Sequence, residues 1–389
     1  MLNEEQIEKF LYEYTNRQDE FNLSVIRIIA DRLSKLADFD TVSSLNSLSI
    51  IQEDTSNINS EYNRYKKDQK KRIRDDFWLL AEYIYGEALI YYETQLALQQ
   101  NRELSETVSS QIIEAQERFD SLVRNPVITM RDLSNPGTLR NFSLDEAYRS
   151  VINEATSYRG LSEELRNVAL QRTESQLFDS GVRYMADNNS VSANNAVRMN
   201  ILDSMRNLIN NMQDVMGKQF GADGVELSAH VYPAPDHAPA QGHIYTLENM
   251  DNMQSGMDFE DVDGHSYVGF ERQIGTWNCR HYFMRIKIGK SKPTYTQEQL
   301  DKILEENEIG YTTPDGRHYT LYECTQIQRG YERKIRNAKE NYLFAKSLKD
   351  RSKMMKNRNR VGRLTTQYKQ FSNACGIPAK LERIRVKDY

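Results

Sequence analysis

Six histidines occur in this 389-residue sequence, and none lies within the first 229 positions. His230, His237, Cys279 and His281 bring together imidazole and thiol donors, the set that suits a tetrahedral zinc ion. On an extended chain Cys279 and His281, two positions apart, project to the same side, and the loop carrying His237 can fold back toward them. The same residue types permit nucleophilic chemistry, with Cys279 attacking, His237 or His281 as base and Asp236 orienting it. A third reading needs no reaction: hydrogen-bonded histidines fasten an irregular loop to a sheet, because buried polar groups require partners. Cys-x-His is not a common zinc spacing, so the three readings stay open on residue types alone. No phosphate-binding glycine loop, dinucleotide motif, nucleophile elbow or HExxH is present, and the expectation is a protein that is not an enzyme.

These residues need a scaffold to converge. In VELSAHVY, Val225, Leu227, Ala229 and Val231 alternate with polar neighbours, the period of a half-buried strand. HIYTL from His243 and HYFMRIKI from His281 have the same character, so a small antiparallel sheet is expected over 223–322. The stretch 250–275, rich in Asp, Gly, Met and Ser, reads as a long irregular loop. Thr296 with Gln299 predicts a capped short helix, and TTPDGRHYTLY a turn between two extended pieces.

Helices dominate elsewhere. Residues 1–125 contain no proline and a single glycine, Gly86, and Ile7, Phe10, Leu11 and Tyr14 follow helical spacing, as do Val25, Ile26, Ile29 and Leu33. The aromatic run from Phe77 to Tyr92 is apolar almost all round, which predicts burial among helices or against a partner. Residues 126–222 read as a helical subdomain: Ser143 with Glu146 forms a capping box, a helix is expected from Ser162, and another spans 193–220 with Met199, Met205, Met212 and Met216 as core fillers. A long helix is expected from Glu323, continuing into a segment with few apolar residues. The predicted fold class is α+β, made of long helices, a small antiparallel His/Cys module and a basic helical tail over 323–389.

Charge is unevenly spread. From Arg329 to Tyr389 there are 18 Lys and Arg against five acids, a net of +13, so the remainder carries −18 of the overall −5. An acidic body with a cationic tail is the asymmetry of a protein that meets a polyanion. Arg333, Lys334, Arg336, Lys346, Lys349, Arg351, Lys353, Lys356, Arg358, Arg360 and Arg363 are the candidate phosphate contacts, neutralising a backbone without reading sequence. Hydrophobic residues make up 39% and charged ones 28%, which favours narrow apolar stripes on an elongated, solvated helical body. No apolar run reaches bilayer length, and the acidic start MLNEEQIEKF is unlike an export signal, so a soluble protein is expected. Three scattered cysteines fit a reducing compartment.

Ser228-Ala229-His230, Asp236-His237-Ala238-Pro239, Gln241-Gly242, Trp277-Asn278-Cys279-Arg280-His281, Tyr322-Glu323, Thr325-Gln326 and Gln328-Arg329 follow one another along the chain. Through these motifs in this order the chain resembles tailed-phage minor capsid proteins of the second minor capsid family, related to the Mu F-type head morphogenesis proteins. AVRMNILDS from Ala196 and FNLSVIRIIADRLSK from Phe21 extend the resemblance to about Lys349. Val231 to Pro235 replace a Gly-Ala-Arg-Pro-like run, Ala240 replaces a Trp, and Glu271 to Thr276 replace a glycine-rich approach with an extra Cys. The four His and Cys residues remain, which favours a retained scaffold over a retained active site.

The resemblance implies a low-copy virion component, made in the host cytoplasm and placed inside the head near the portal vertex. Its implied partners are the portal protein, capsid or scaffolding protein, and packaged double-stranded DNA met by the tail, with no membrane. Its implied role is assembly or genome ejection. The alternative is a metal-dependent or cysteine-based enzyme delivered with the DNA.

Overall fold

The computed structural model describes residues 4–37, 44–92, 101–131, 139–157, 182–186, 189–276, 279–347 and 350–389. Four long helices form the body: α1 (Glu4–Ala37), α2 (Ser44–Tyr92), α3 (Arg102–Leu122) and, after α4 (Leu144–Ser157), α5 (Ala193–Gln219). Each buries a stripe at three- and four-residue intervals, the pattern of one helix face turned inward. On α1 the stripe is Ile7, Leu11, Tyr14, Phe21, Val25 and Ile29; on α3 it is Leu104, Val108, Ile112, Ala115 and Phe119. Asn101 caps α3 by accepting from the Leu104 amide at 3.2 Å. Burying each such side chain contributes about 1.5–3 kcal/mol, so the shared core, not helix propensity, holds the long helices. Gln18 is paired inside it: its side-chain oxygen accepts from Tyr65 Oη (2.6 Å) and Tyr184 Oη (2.9 Å), joining α1, α2 and the segment around Tyr184. The aromatic run of α2 buries Phe77, Leu80, Ala81, Ile84 and Tyr85, while Leu79 stays 64% exposed.

Between Pro126 and Ser192 the structure departs from the helical expectation. Strands β1 (Pro126–Arg131), β2 (Leu139–Ser143), β3 (Val182–Ala186) and β4 (Asn189–Ser192) make an antiparallel sheet in the order β2-β1-β3-β4. The strands are four to six residues long, too short to show a clear period of two, and their pairing joins segments far apart in sequence. The Ser143–Glu146 capping box is present, with Glu146 accepting from the Ser143 amide at 2.9 Å. The helix expected from Ser162 lies outside the described residues.

The His/Cys module is built on a three-stranded antiparallel sheet, β6-β5-β9, with β5 Gly224–Leu227, β6 Ile244–Thr246 and β9 Phe283–Ile286. These strands are shorter than the alternation suggested: at one end of the sheet the chain turns away toward the His/Cys residues, and at the other β9 ends in the turn at Lys287–Ser291. The expected loop over 250–275 is instead ordered: α6 (Leu247–Ser255) precedes the hairpin β7 (Phe259–Glu260) and β8 (Ser266–Tyr267). Its aromatics explain this, since Phe259, Tyr267 and Phe270 pack with Tyr245 into a core of their own. The module seats tightly on the body: a Cβ on Gly217 of α5 would lie 2.5 Å from Arg285 Cβ of β9. Then come α7 (Gln297–Ile309), which carries the Thr296–Gln299 capping box, and the hairpin β10 (Tyr311–Thr312) and β11 (His318–Tyr319).

The C-terminal region is a helical hairpin. α8 (Leu321–Ser347) and α9 (Arg351–Ala374) pack along each other through Ile335, Ala338, Val361, Leu364 and Tyr368. Asp350 caps α9, accepting from the Lys353 amide at 2.9 Å. The sparse apolar residues of α9 suffice because they fall on one stripe against α8. α8 also leans on α1, so the basic region is folded back onto the body it follows.

Candidate functional site

Strand pairing sets the site. Beyond the Leu227–Phe283 pair, the Ser228 amide donates to Tyr282 O and Ser228 Oγ accepts from the Tyr282 amide, both at 3.0 Å. A side chain thus closes the ladder where the two strands diverge, and His230 and His281 emerge side by side, their rings 4.3 Å apart. Gly242 then lets the chain return: its φ of +77° lies in the left-handed region, and a Cβ there would meet Leu300 Cδ2 at 2.2 Å. That return delivers Gln241, whose Oε1 accepts from the His230 amide (3.1 Å) and faces His281 Nε2 (3.1 Å). Because an amide N–H can only donate, the atom between them is the oxygen, and His281 Nε2 must carry a proton.

His237 is fixed in the same way. Its Nε2 lies 2.8 Å from the carbonyl of Arg272, an acceptor only, so Nε2 is protonated there too. Arg272 is anchored in turn by Asp236, whose two oxygens take its Nε at 3.1 Å and Nη2 at 2.8 Å. Both imidazoles therefore turn Nδ1 toward one atom, Cys279 Sγ, at 3.5 Å from His237 and 3.4 Å from His281. The three side chains are buried, and their ligand atoms lie within 4.8 Å of one another. Burial lowers the pKa of both histidines and keeps them neutral. It also pushes the Cys279 thiol up, partly offset by backbone N–H groups of Gly275 and His281 and by the charges of Arg272 and Arg206.

Of the four residues expected to share a metal, three converge. His230 does not join the set, because its Nδ1 turns to the carbonyl of Val231 at 2.9 Å and its ring lies over His281. The nucleophile arrangement is less well served. Asp236 sits 3.5 Å from His237 Nε2 but spends its oxygens on Arg272, and the thiol is buried and held protonated. A second donor group, His243, Asp261 and His265, is complete without an ion: Asp261 accepts from the amides of Asp263 and His265, from Tyr267 Oη, and faces both imidazoles.

The His/Cys residues line a cleft of about 370 Å³ between the module and the C-terminal hairpin, shared with Arg272, Arg280, Arg329, Lys380 and Arg383. Tyr232, in the left-handed region at φ +57°, crosses it to pack beside Cys324, Cys375 and Ile377. Arg329 is pushed down to about 9 by burial and by the neighbouring charges of Arg280, Arg383 and Arg198. Glu8 offsets part of this crowding: it pairs with Arg198 at 2.7 Å, with Arg383, and more loosely with Arg280 at 3.7 Å. Burial alone would raise its pKa, but these cations hold the carboxyl well below the usual range.

Two residues escaped the sequence reading. Arg206 is buried, stacks on Tyr282 with 5.1 Å from guanidinium carbon to ring centre, and leaves Nε and Nη1 without partners among the described residues. Its signal was an arginine within the apolar stripe Ile201, Leu202, Met205, Leu208. Arg272 offered none, since its use is a backbone carbonyl. Trp277 and Asn278 lie outside the described residues.

The candidate phosphate contacts divide. Arg333, Lys334, Lys346, Arg351, Lys356, Arg358, Arg360 and Arg363 are exposed, and Lys353 is half-buried, 3.7 Å from Asp350. Arg336 turns inward instead, pairing with Asp19 of α1 and donating to the carbonyl of Arg385 at 2.7 Å. Lys349 lies outside the described residues. On α9, Lys356, Arg360 and Arg363 follow at i, i+4 and i+7 along one flank of the buried stripe, and Arg351, Arg358 and Lys369 lie along the other. Among the described residues, no helix is long and apolar enough to cross a membrane.

The described residues thus form a helical body, a His/Cys module seated on it and an outward cationic helix. Residues 4–373 match the family of phage minor capsid protein 2, and the chain belongs to it. It is therefore a virion structural protein. Neither curated proteins nor solved structures gave a match.

Proposed function

We propose that this minor capsid protein sits inside the phage head at the portal, with capsid or scaffolding protein nearby, and holds packaged double-stranded DNA against the outer face of α9, aiding assembly or ejection. The observation that carries the DNA contact is α9 itself: seven Lys and Arg, no acid, and six of the cations in two rows flanking the stripe that packs on α8. Asp19, Glu8 and Glu332 hold the inward arginines of this region, so its fold does not depend on the outward ones. Leu79 and Tyr83, four apart and exposed on α2, support docking on another protein. The buried thiol gives no comparable support to the alternative of a cysteine-based enzyme.

The test is duplex binding by the full chain at several salt concentrations. Neutralising a phosphate contributes a slope of about −0.9 in log K against log salt, so changing Lys356, Arg358, Arg360 and Arg363 to Gln should flatten the slope by about 3 to 4. Wild-type protein that ignores duplex at low salt removes the DNA contact. Failure to co-purify with portal-containing heads removes the location.

A further inference from the structure

The donors around Cys279 do not balance. With each Nε2–H donating to a fixed acceptor, His237 and His281 each present a bare Nδ1 lone pair to the same sulfur. One thiol has one proton. It can satisfy one imidazole and leaves the other a buried acceptor with nothing to accept among the described residues, a situation that costs about 1–3 kcal/mol. The second cluster shows what a balanced knot looks like: there the acidic Asp261 receives every donor aimed at it.

A metal ion removes the imbalance. Zinc bonded at about 2.3 Å to sulfur and 2.0–2.1 Å to nitrogen, at tetrahedral angles, places each S···N pair about 3.5 Å apart. The two pairs here are 3.5 and 3.4 Å. A single S–H···N bond would explain one of these distances, not both. The outer bonds are also those of metal-held histidines, each donating its far N–H to a carbonyl or amide oxygen.

We propose that His237 Nδ1, Cys279 Sγ and His281 Nδ1 hold one zinc ion, whose fourth position opens on the cationic cleft and takes an oxygen of a phosphate-type anion. The thiol proton leaves to solvent as the sulfur binds. With three protein ligands the site is open, unlike the closed four-ligand sites that are purely structural. The cleft beside it is built for negative charge: Arg329 pairs with no carboxylate among the described residues, and Arg280, Lys380 and Arg383 line the same space. The site needs neither portal nor DNA contact.

Protein produced with zinc in the medium and isolated without chelator should contain about one zinc per chain by elemental analysis. Cys279→Ser and His281→Asn should lose it, while His265→Ala, in the balanced cluster, and His230→Ala should keep it. Cobalt in place of zinc should show a thiolate charge-transfer band and tetrahedral visible bands that shift when inorganic phosphate is added, and Arg329→Gln should weaken that shift without weakening cobalt binding. Folded wild-type protein without stoichiometric zinc overturns the proposal, whatever the variants do. Metal retained by Cys279→Ser overturns the ligand assignment, loss in His230→Ala overturns the open position, and a cobalt spectrum blind to phosphate overturns the anion.

Discussion

Glu8 and Arg383 stand 375 positions apart in sequence and form an ion pair, with the arginine Nε donating to Glu8 Oε2 at 3.0 Å. Through this contact the first helix grips the last turn of the chain. Arg198 of α5 and Arg280 beside Cys279 reach the same carboxylate, so one acidic group joins the body, the His/Cys module and the C-terminal hairpin.

Removing that charge should loosen all three. Glu8→Gln leaves buried arginines without their counter-charge and should cost about 3–5 kcal/mol in denaturant unfolding. The sign with pH follows from the lowered pKa of Glu8 in the folded protein. Its contribution is fully present above the unfolded value of 4.5 and is lost as pH falls from there toward the folded value. Wild type and Glu8→Gln should therefore converge in stability in acid, and equal stability at pH 7 would show that the network contributes nothing.

Glu340 behaves in the opposite sense. Burial, with the nearby Asp19 charge, pushes it up to about 7, against the pull of Arg336. The folded state therefore favours the protonated form, and the stability that this supplies is lost as pH rises from the unfolded value of 4.5 through about 7. Glu340→Gln should become more stable than wild type at pH 8, on the order of 2 kcal/mol, with little difference at pH 4.5. Thermal melts at the two pH values check this, and a gain independent of pH would refute it.

Gly242→Ala tests the turn that delivers Gln241. A left-handed non-glycine residue and a Cβ pressed on buried Leu300 should together cost about 2–4 kcal/mol. Leu300→Ala in the same chain should restore part of the loss by making room, which a double-mutant cycle measures. Additive losses would place the strain elsewhere.

Much of the organisation was legible because it is written locally. Helical spacing of Leu11, Tyr14, Val25 and Ile29 marks a buried face whatever surrounds it, and capping boxes at Ser143–Glu146 and Thr296–Gln299 depend on four consecutive residues. The sheet over 126–192 was not legible, since strands of four to six residues are defined by partners far away in sequence. The helix and hairpin within 250–275 were hidden for a related reason: their order comes from aromatics that meet Tyr245 only after folding.

The site divides along the same line. The sequence by itself determined which groups were available, a cluster of histidines with Cys279 and a cationic C-terminal region, because residue type and crowding need no coordinates. Only the tertiary structure decided that His237, Cys279 and His281 converge while His230 turns to Val231, and that Arg336 faces Asp19 while Arg360 and Arg363 face outward. Donor count, tautomer and burial are properties of a neighbourhood in space, and that neighbourhood is assembled from Gln241, Arg272 and the far ends of the chain.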